Sequence, residues 1–319
     1  MPVEAIYADR FHFIEGIQIM DFSDPLAREA FAAYDAPLHE YVSPPVVVTN
    51  RVIPGPQGDI PVRFYWPEGH NPTTDVRPGV VWFHGGAFVF GDLDMNEADV
   101  VGRELAHRAG AVVMSVDYRL CNPERFMPAP QIDGVAATQW FEAHRGELGV
   151  REGIFVGGGS AGGCLAAGVA MKFLELGDKS LAGVLPIYPV IYAESPVRSA
   201  ELAEKCAAVP QVLIFAEEWA RNQNKMLLGG RSLEEAEPWE FPGAADSYAG
   251  LPPVLIINAE YDSLRQHGEN WAEELRRDGV HVTCVNELGQ LHGHLNKIPQ
   301  DCEGTSRTYD RMVKFIKEH

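Results

Sequence analysis

Cysteine pairs of the kind that bind zinc or form disulfide frameworks are missing from this chain. It has five cysteines in 319 residues, and no two of them stand in a Cys-x-x-Cys pair. An odd and scattered set favours neither a structural zinc site nor a disulfide-stabilised secreted domain. A chain of this length can bury enough apolar surface to fold without either. We therefore expect no metal site.

Positive charge is also scarce. Lys and Arg number 26 against 45 Asp and Glu, which gives a formal net charge of −19. A protein that binds nucleic acid or an anionic membrane needs clustered basic residues. The charge balance therefore predicts no such partner, and an acidic surface of this kind favours solubility.

Long hydrophobic runs and the pattern of a secretory leader are absent as well. No apolar stretch approaches the roughly 20 residues of a membrane-spanning helix. Near the N-terminus, Glu4 and Asp9 stand where the apolar part of a signal peptide would lie. These features predict a cytoplasmic protein without a membrane span, and they leave a homo-oligomer open.

The chain does contain a regular alternation of short apolar runs and helical patterns. The run 80–83 is typical of a strand buried on both faces, and a helical pattern follows at 97–109. Before it, segments 46–53 and 60–66 flank a turn rich in Pro and Gly, which indicates a hairpin. Repeated βαβ units predict the α/β class, with a mostly parallel central sheet and helices on both faces.

Two segments interrupt this alternation. Residues 1–45 have a helical, amphipathic pattern, and 193–248 is long, rich in Glu and Trp, and predicted to be helical across 212–219. A long insertion in an alternating fold is often a lid over an active site. We predict that 193–248 forms a helical lid of this kind, with a purely structural excursion as the alternative.

The strongest chemical signal is the sequence Gly158–Gly162, which has the form G-x-S-x-G. It follows a predicted strand and precedes a predicted helix, the context that a nucleophile elbow requires. Such a turn strains the backbone of Ser160 and exposes its hydroxyl, and glycine neighbours avoid a clash. A glycine-rich turn with an incidental serine is the alternative. A phosphate-binding loop is excluded, because no Gly-Lys-Ser/Thr sequence occurs in the chain.

A serine nucleophile needs oxyanion donors, a base and an orienting acid. The loop His84–Phe88 follows the strand 80–83 and can bring backbone N–H groups to an oxyanion. Asp262 and His292 come later, each after a predicted strand and in the expected order of acid, then histidine. The competing acids are Glu260 and Glu287, and the competing bases are His84, His267 and His294. A metal pair of His292 and His294 lacks further ligands.

These motifs together resemble the hormone-sensitive-lipase-like family of α/β-hydrolases, the bacterial carboxylesterase type. The matching stretches are 82–91, 116–120, 126–129, 157–163, 187–190, 259–265 and 291–294. The resemblance implies an α/β-hydrolase fold without a metal or organic cofactor. It also implies a helical cap built from 1–45 and 193–248, with 46–192 and 249–319 as the core. It assigns Ser160 as nucleophile, Asp262 as acid and His292 as base. The implied oxyanion donors are the N–H groups of Gly85, Gly86 and Ala161.

The substrate-binding residues are less well defined by sequence. We expect Phe88, Phe215, Trp219 and His294 to contact substrate, with ordinary packing as the alternative for the cap aromatics. The chain departs from the family at Gly159, where Asp or Thr is usual, at His294, where Phe is usual, and at Ala87, where Gly is frequent. None of these changes removes a reacting group.

The resemblance implies a serine hydrolase of carboxylic esters that are small molecules. The mixed aromatic and acidic character of the lid favours short- to medium-chain acyl groups. An amidase, a formamidase or a sugar-ester deacetylase with the same triad remains an alternative. A non-catalytic small-molecule binding protein on the same fold is a remote alternative. It is remote because the catalytic position still carries a histidine, His292.

Overall fold

An eight-stranded sheet is the centre of the described structure. The computed structural model describes residues 2–18 and 24–319. The strands are β1 (Val46–Ile53), β2 (Ile60–Pro67), β3 (Gly79–Phe83), β4 (Val112–Val116), β5 (Ile154–Gly159), β6 (Leu181–Ile187), β7 (Val254–Ala259) and β8 (Val282–Glu287). Their order in the sheet is β1-β2-β4-β3-β5-β6-β7-β8. The first two strands form the predicted hairpin and pair antiparallel with each other. β2 also pairs antiparallel with β4, and the rest of the sheet is parallel.

Helices cover both faces of this sheet, as the alternation predicts. In the described residues they are α1 (Ala5–Ala8), α2 (Pro25–Asp35), α3 (Asn96–Ala109), α4 (Ala129–Ala143), α5 (Arg145–Leu148), α6 (Ala161–Glu175), α7 (Ala200–Ala207), α8 (Glu217–Leu227), α9 (Arg265–Arg277) and α10 (Glu303–Glu318). Helices α3 and α10 pack in one apolar cluster, and α4, α6 and α9 contribute to the other. The α/β prediction is confirmed. None of the helices in residues 2–18 or 24–319 is both long and apolar enough to span a membrane.

The N-terminal segment and the insertion share a third apolar cluster. Tyr7 and Tyr34 of the N-terminal segment lie in it with Val209 and Val212 of the insertion and with Tyr261 of the core. The Tyr7 hydroxyl donates to Gln290 Oε1 at 3.0 Å, which ties this cluster to the loop after β8. Both segments therefore pack over the carboxyl ends of β7 and β8.

The predicted helical character of these two segments is only partly right. Met1 and residues 19–23 lie outside the described residues, and the remainder of 1–45 is helical only in α1, α2 and a 3₁₀ turn at Phe11–Ile14. The prediction of a helix across 212–219 is wrong. A 3₁₀ turn occupies Gln211–Leu213 and α8 begins at Glu217. Between them the Phe215 N–H donates to Ser263 Oγ at 3.1 Å, so a contact with the core replaces a helical bond.

Candidate active site

The turn between β5 and α6 presents Ser160. Its backbone has φ 54° and ψ −116°, a conformation that is rare outside glycine. A Cβ at Gly158 would overlap the backbone of Gly162, and one at Gly162 would overlap the carbonyl of Phe83. Side chains at either position would therefore separate the turn from β3. The strained residue begins α6, so its side chain lies at the helix N-terminus, where negative charge is stabilised.

Ser160, His292 and Asp262 form one hydrogen-bonded chain. His292 Nδ1 lies 2.7 Å from Asp262 Oδ2, and His292 Nε2 lies 2.9 Å from Ser160 Oγ. The Leu264 N–H donates to Asp262 Oδ1 at 2.8 Å, which fixes the carboxylate in the loop after β7. Since the ionised carboxylate only accepts, Nδ1 carries the proton and Nε2 accepts from the serine hydroxyl. This is the arrangement that activates a serine nucleophile.

The competing acids are engaged elsewhere. Lys205 Nζ and the Gly289 N–H each donate to Glu260 at 2.7 Å. Arg307 Nε and Arg311 Nε donate to the two oxygens of Glu287 at 2.6 and 2.9 Å. These carboxylates join the loop after β8 to the insertion and to α10, while Asp262 contacts the imidazole of His292.

Charge around His292 favours its protonated form. Burial lowers the pKa of this imidazole, but the carboxylate of Asp262 more than offsets that effect, so the pKa is raised above its usual value. The ring also contacts Tyr188 and Phe215 edge to face, with centroids 5.0 and 4.9 Å away. These aromatic contacts hold the ring between the serine and the aspartate.

The structure places His294 outside the pocket, contrary to the expectation that it contacts substrate. Its ring is fully buried, and its Nε2 lies 2.8 Å from Thr308 Oγ1 of α10. Burial lowers the pKa of His294 to about 3, which keeps the ring neutral. It packs against the ring of Tyr188 in a T-shaped contact, with centroids 4.9 Å apart. His294 therefore packs behind Tyr188, the residue that contacts His292.

The N–H of Gly85 points to a partner other than substrate. It donates to Glu97 Oε2 at 2.7 Å, so the expectation that Gly85 supplies an oxyanion donor is corrected. Glu97 is buried in the first turn of α3, and its other oxygen accepts from the Tyr188 hydroxyl at 2.5 Å. This carboxylate also fills the space beside Gly159, where a Cβ would overlap Glu97 Oε1. Glu97 thus links the loop after β3, the elbow and Tyr188.

The rest of the loop after β3 lies beside the serine. Gly86 and Ala87 follow in the left-handed region with φ 113° and 50°. Ala87 lines the same pocket as Ser160 and Ala161. A Cβ at Gly86 would overlap the carbonyl of Phe90, so only glycine fits the tight turn there.

A largely apolar pocket opens beside Ser160. Three of the four predicted substrate contacts, Phe88, Phe215 and Trp219, line it. Phe215 stacks on Trp219 with centroids 5.6 Å apart, and Trp219 is 48% exposed at the mouth of the pocket. The other lining residues are Ala87, Ala161, Val190, Ser195, Ala220, Gln223, Asn224, Leu227, Leu264 and His267. In residues 2–18 and 24–319, no group of three or more potential ligand side chains is placed to hold a metal.

The fold and this site define a class of protein. The model of the alpha/beta hydrolase fold family matches residues 80–296, and the chain belongs to that family. Among the similar proteins is the esterase LipI of Mycobacterium tuberculosis, which is 36% identical over 83% of this chain and 81% of its own length. The carboxylesterase NlhH of the same organism is 37% identical over 78% of this chain and 76% of its own length.

A solved structure supports the same relationship. The hyperthermophilic esterase from the archaeon Pyrobaculum calidifontis superposes with a TM-score of 0.81 at 31% identity, covering 100% of this chain and 99% of that one. The predictions of an α/β-hydrolase, of the hormone-sensitive-lipase-like family and of a carboxylesterase-type enzyme are confirmed by these comparisons.

Proposed function

We propose that this protein is a serine carboxylic-ester hydrolase that acts through Ser160, His292 and Asp262. The observation that carries the proposal is the continuous hydrogen-bonded chain from Asp262 through His292 to a partly exposed serine in the wall of an apolar pocket. The esterase names of its relatives support the reaction class.

The reaction follows from this geometry. His292 Nε2 takes the hydroxyl proton as Ser160 Oγ attacks the ester carbonyl, and the resulting imidazolium is stabilised by Asp262. The imidazolium then gives its proton to the departing alcohol, which leaves an acyl-enzyme on Ser160. A water molecule, deprotonated by His292, attacks the acyl-enzyme and releases the carboxylic acid. The same proton carrier thus serves both halves of the reaction.

The negative charge on the carbonyl oxygen requires donors on the side of the loop after β3. Because the Gly85 N–H is bonded to Glu97, we assign this role to the N–H groups of Gly86, Ala87 and Ala161. Ala161 lies in the first turn of α6, so the helix dipole adds to its effect.

The N-terminal segment, 1–45, and the insertion, 193–248, form the cap in this proposal. The shared apolar cluster of the two segments supports it, as does the position of Phe215 and Trp219 in the pocket wall. Because these two stacked rings close one side of the pocket, we propose that short- to medium-chain acyl groups are preferred. The cytoplasmic location, the oligomeric state and the absence of nucleic-acid partners stay predictions.

A series of p-nitrophenyl esters from acetate to dodecanoate tests the reaction and the chain-length preference. We expect kcat/KM to be highest between acetate and octanoate and to fall for longer chains, which must displace Trp219. A Trp219→Ala variant serves as control and is expected to move the optimum to longer chains. Equal rates on acetate and dodecanoate in both proteins would contradict the preference. Matched p-nitroanilides, run in parallel, distinguish an esterase from an amidase.

The dependence of kcat/KM on pH reports the state of His292. Only the neutral imidazole can accept the serine proton, so activity is lost as pH falls through its pKa. Because Asp262 raises that pKa, we expect the inflection above 6.5, the usual value for histidine. Initial rates on p-nitrophenyl butanoate in buffers of constant ionic strength measure it. An inflection near the value of a free carboxylate would point to a different base.

A further inference from the structure

One imidazole lies in the otherwise apolar part of the pocket wall. His267, in the first turn of α9, lines the pocket together with Val190, Leu227 and Leu264. It is 1% exposed, and it takes no part in the chain that joins Asp262, His292 and Ser160. An almost fully buried imidazole in the wall of the pocket that contains the reacting serine needs an explanation.

The contacts of His267 fix which of its nitrogens carries the proton. The backbone N–H groups of Ile191 and Tyr192 both point to His267 Nδ1, each at 3.2 Å. Since these groups only donate, Nδ1 is the unprotonated acceptor. Burial lowers the pKa of the imidazole to about 4, so the ring is neutral around pH 7. The single proton of the neutral ring is therefore on Nε2.

The Nε2–H group is left without an acceptor. It is buried and has no hydrogen-bond partner among the described residues. A buried donor without a partner destabilises the folded protein, and an acceptor brought by a ligand removes that penalty. The other polar side chains that line the pocket, Ser195, Gln223 and Asn224, do not accept a hydrogen bond from it. Nδ1 is turned toward the backbone of 191 and 192, so the Nε2–H group points away from that backbone in a ring that lines the pocket.

We infer that His267 Nε2–H donates a hydrogen bond to an oxygen atom in the substrate chain, beyond the scissile carbonyl. This inference rests on the proposed esterase function. It assigns the site a substrate class: esters that carry an ether, carbonyl or hydroxyl oxygen a few bonds from the reacting carbon. A hydrocarbon chain of the same length fills the pocket but leaves Nε2–H unpaired. A site built to donate discriminates strongly against a ligand without the acceptor.

Three esters with acyl chains of equal length test the inference. p-Nitrophenyl pentanoate has a hydrocarbon chain, the 3-methoxypropanoate replaces one methylene with an ether oxygen, and the 4-oxopentanoate places a ketone in the chain. The selectivity is the kcat/KM of each oxygen-bearing ester divided by that of pentanoate. Comparing wild type with a variant cancels the intrinsic reactivity of the esters. For at least one oxygen position, we expect the selectivity of wild type to exceed that of His267→Asn about tenfold, the effect of one neutral hydrogen bond.

Two variants separate the two nitrogens of the ring. In His267→Asn, the side-chain oxygen can take the place of Nδ1 and accept from the two backbone amides, while the distant donor is lost. In His267→Gln, the longer amide reaches toward the position of Nε2, and we expect part of the selectivity to return. Circular dichroism of both variants checks that the fold is retained. Equal selectivity of wild type and His267→Asn on both oxygen-bearing esters would overturn the inference.

A binding measurement keeps this result separate from the esterase proposal. In Ser160→Ala, with and without His267→Asn, the dissociation constants of the three esters are measured by calorimetry. If an oxygen-bearing ester binds more tightly than pentanoate, and the difference is lost with His267→Asn, the inference is supported. That support holds even if wild type hydrolyses no ester. Absence of hydrolysis would refute only the esterase proposal. If His267→Asn does not change the binding of the oxygen-bearing esters and wild type hydrolyses esters normally, only the role of His267 is refuted.

Discussion

Ser160→Ala is expected to lower kcat on p-nitrophenyl butanoate by about 10⁶-fold, as removal of the nucleophile does in a serine protease. No other described group is bonded to His292 Nε2, so no second nucleophile is positioned to replace it. The residual rate would come from the oxyanion donors and from substrate binding, which the variant retains. Steady-state rates measure the loss, and mass spectrometry after rapid acid quenching detects the acyl group on wild type alone.

Ser195→Ala is the matched control for this experiment. Ser195 lines the same pocket, but it is not part of the chain from Asp262 through His292 to Ser160. We expect this variant to keep its rate within a few-fold of wild type. Circular dichroism of both variants checks that the fold is retained. A Ser160→Ala protein with the rate of wild type would show that the nucleophile lies elsewhere.

The second large effect is expected for His292→Ala. Loss of the base leaves the hydroxyl of Ser160 unactivated. When catalytic residues act as a unit, removing one lowers kcat nearly as much as removing all of them. We therefore expect a fall in kcat of at least about 10⁴-fold. The rate of this variant should no longer depend on a group that titrates near neutral pH.

His294→Phe provides the contrasting variant two residues away. Its ring is buried behind Tyr188, and the change replaces a buried imidazole with an apolar ring. The variant also loses the bond to Thr308, which costs about 1 kcal/mol of stability. We expect kcat to change little. A loss of activity confined to this variant would make His294 the base.

The parts of the site that sequence reasoning predicted are those encoded by short local patterns. Gly158, Ser160 and Gly162 are adjacent in the chain, and the turn they form depends on their own backbone and on the absence of side chains. Asp262 and His292 each follow a strand, so the parallel sheet brings them to one edge. The order of elements placed these side chains at that edge together with competing acids and bases, and the resemblance to the family was needed to choose Asp262 and His292.

The predictions that failed depend on contacts between distant parts of the chain. The interpretation of Gly85 failed because its N–H is bonded to Glu97, which belongs to the next helix. A signal for this contact exists in the sequence: Glu97 lies one turn before Val101 and two turns before Leu105, on the apolar stripe of α3. An acidic residue on such a stripe requires a buried donor.

The failed helix prediction at 212–219 has a similar cause. Its apolar spacing fits a helix, yet Phe215 faces His292 and its N–H bonds to Ser263, both in the core. Tertiary contacts of this kind override a local pattern. The unpaired Nε2–H of His267 could not be predicted either. Nothing in the sequence shows that the N–H groups of Ile191 and Tyr192 both donate to Nδ1.

The carboxylate of Glu97 makes positions 97 and 159 interdependent under substitution. Gly159 is small because a side chain from α3 already occupies the space beside it. A nucleophile elbow transplanted from a relative with Asp at this position would place two carboxylates in one buried site, where both cannot ionise. Such a graft is tolerated only if residue 97 is shortened at the same time. The elbow of this protein is therefore not an exchangeable module, and variant libraries should change these two positions together.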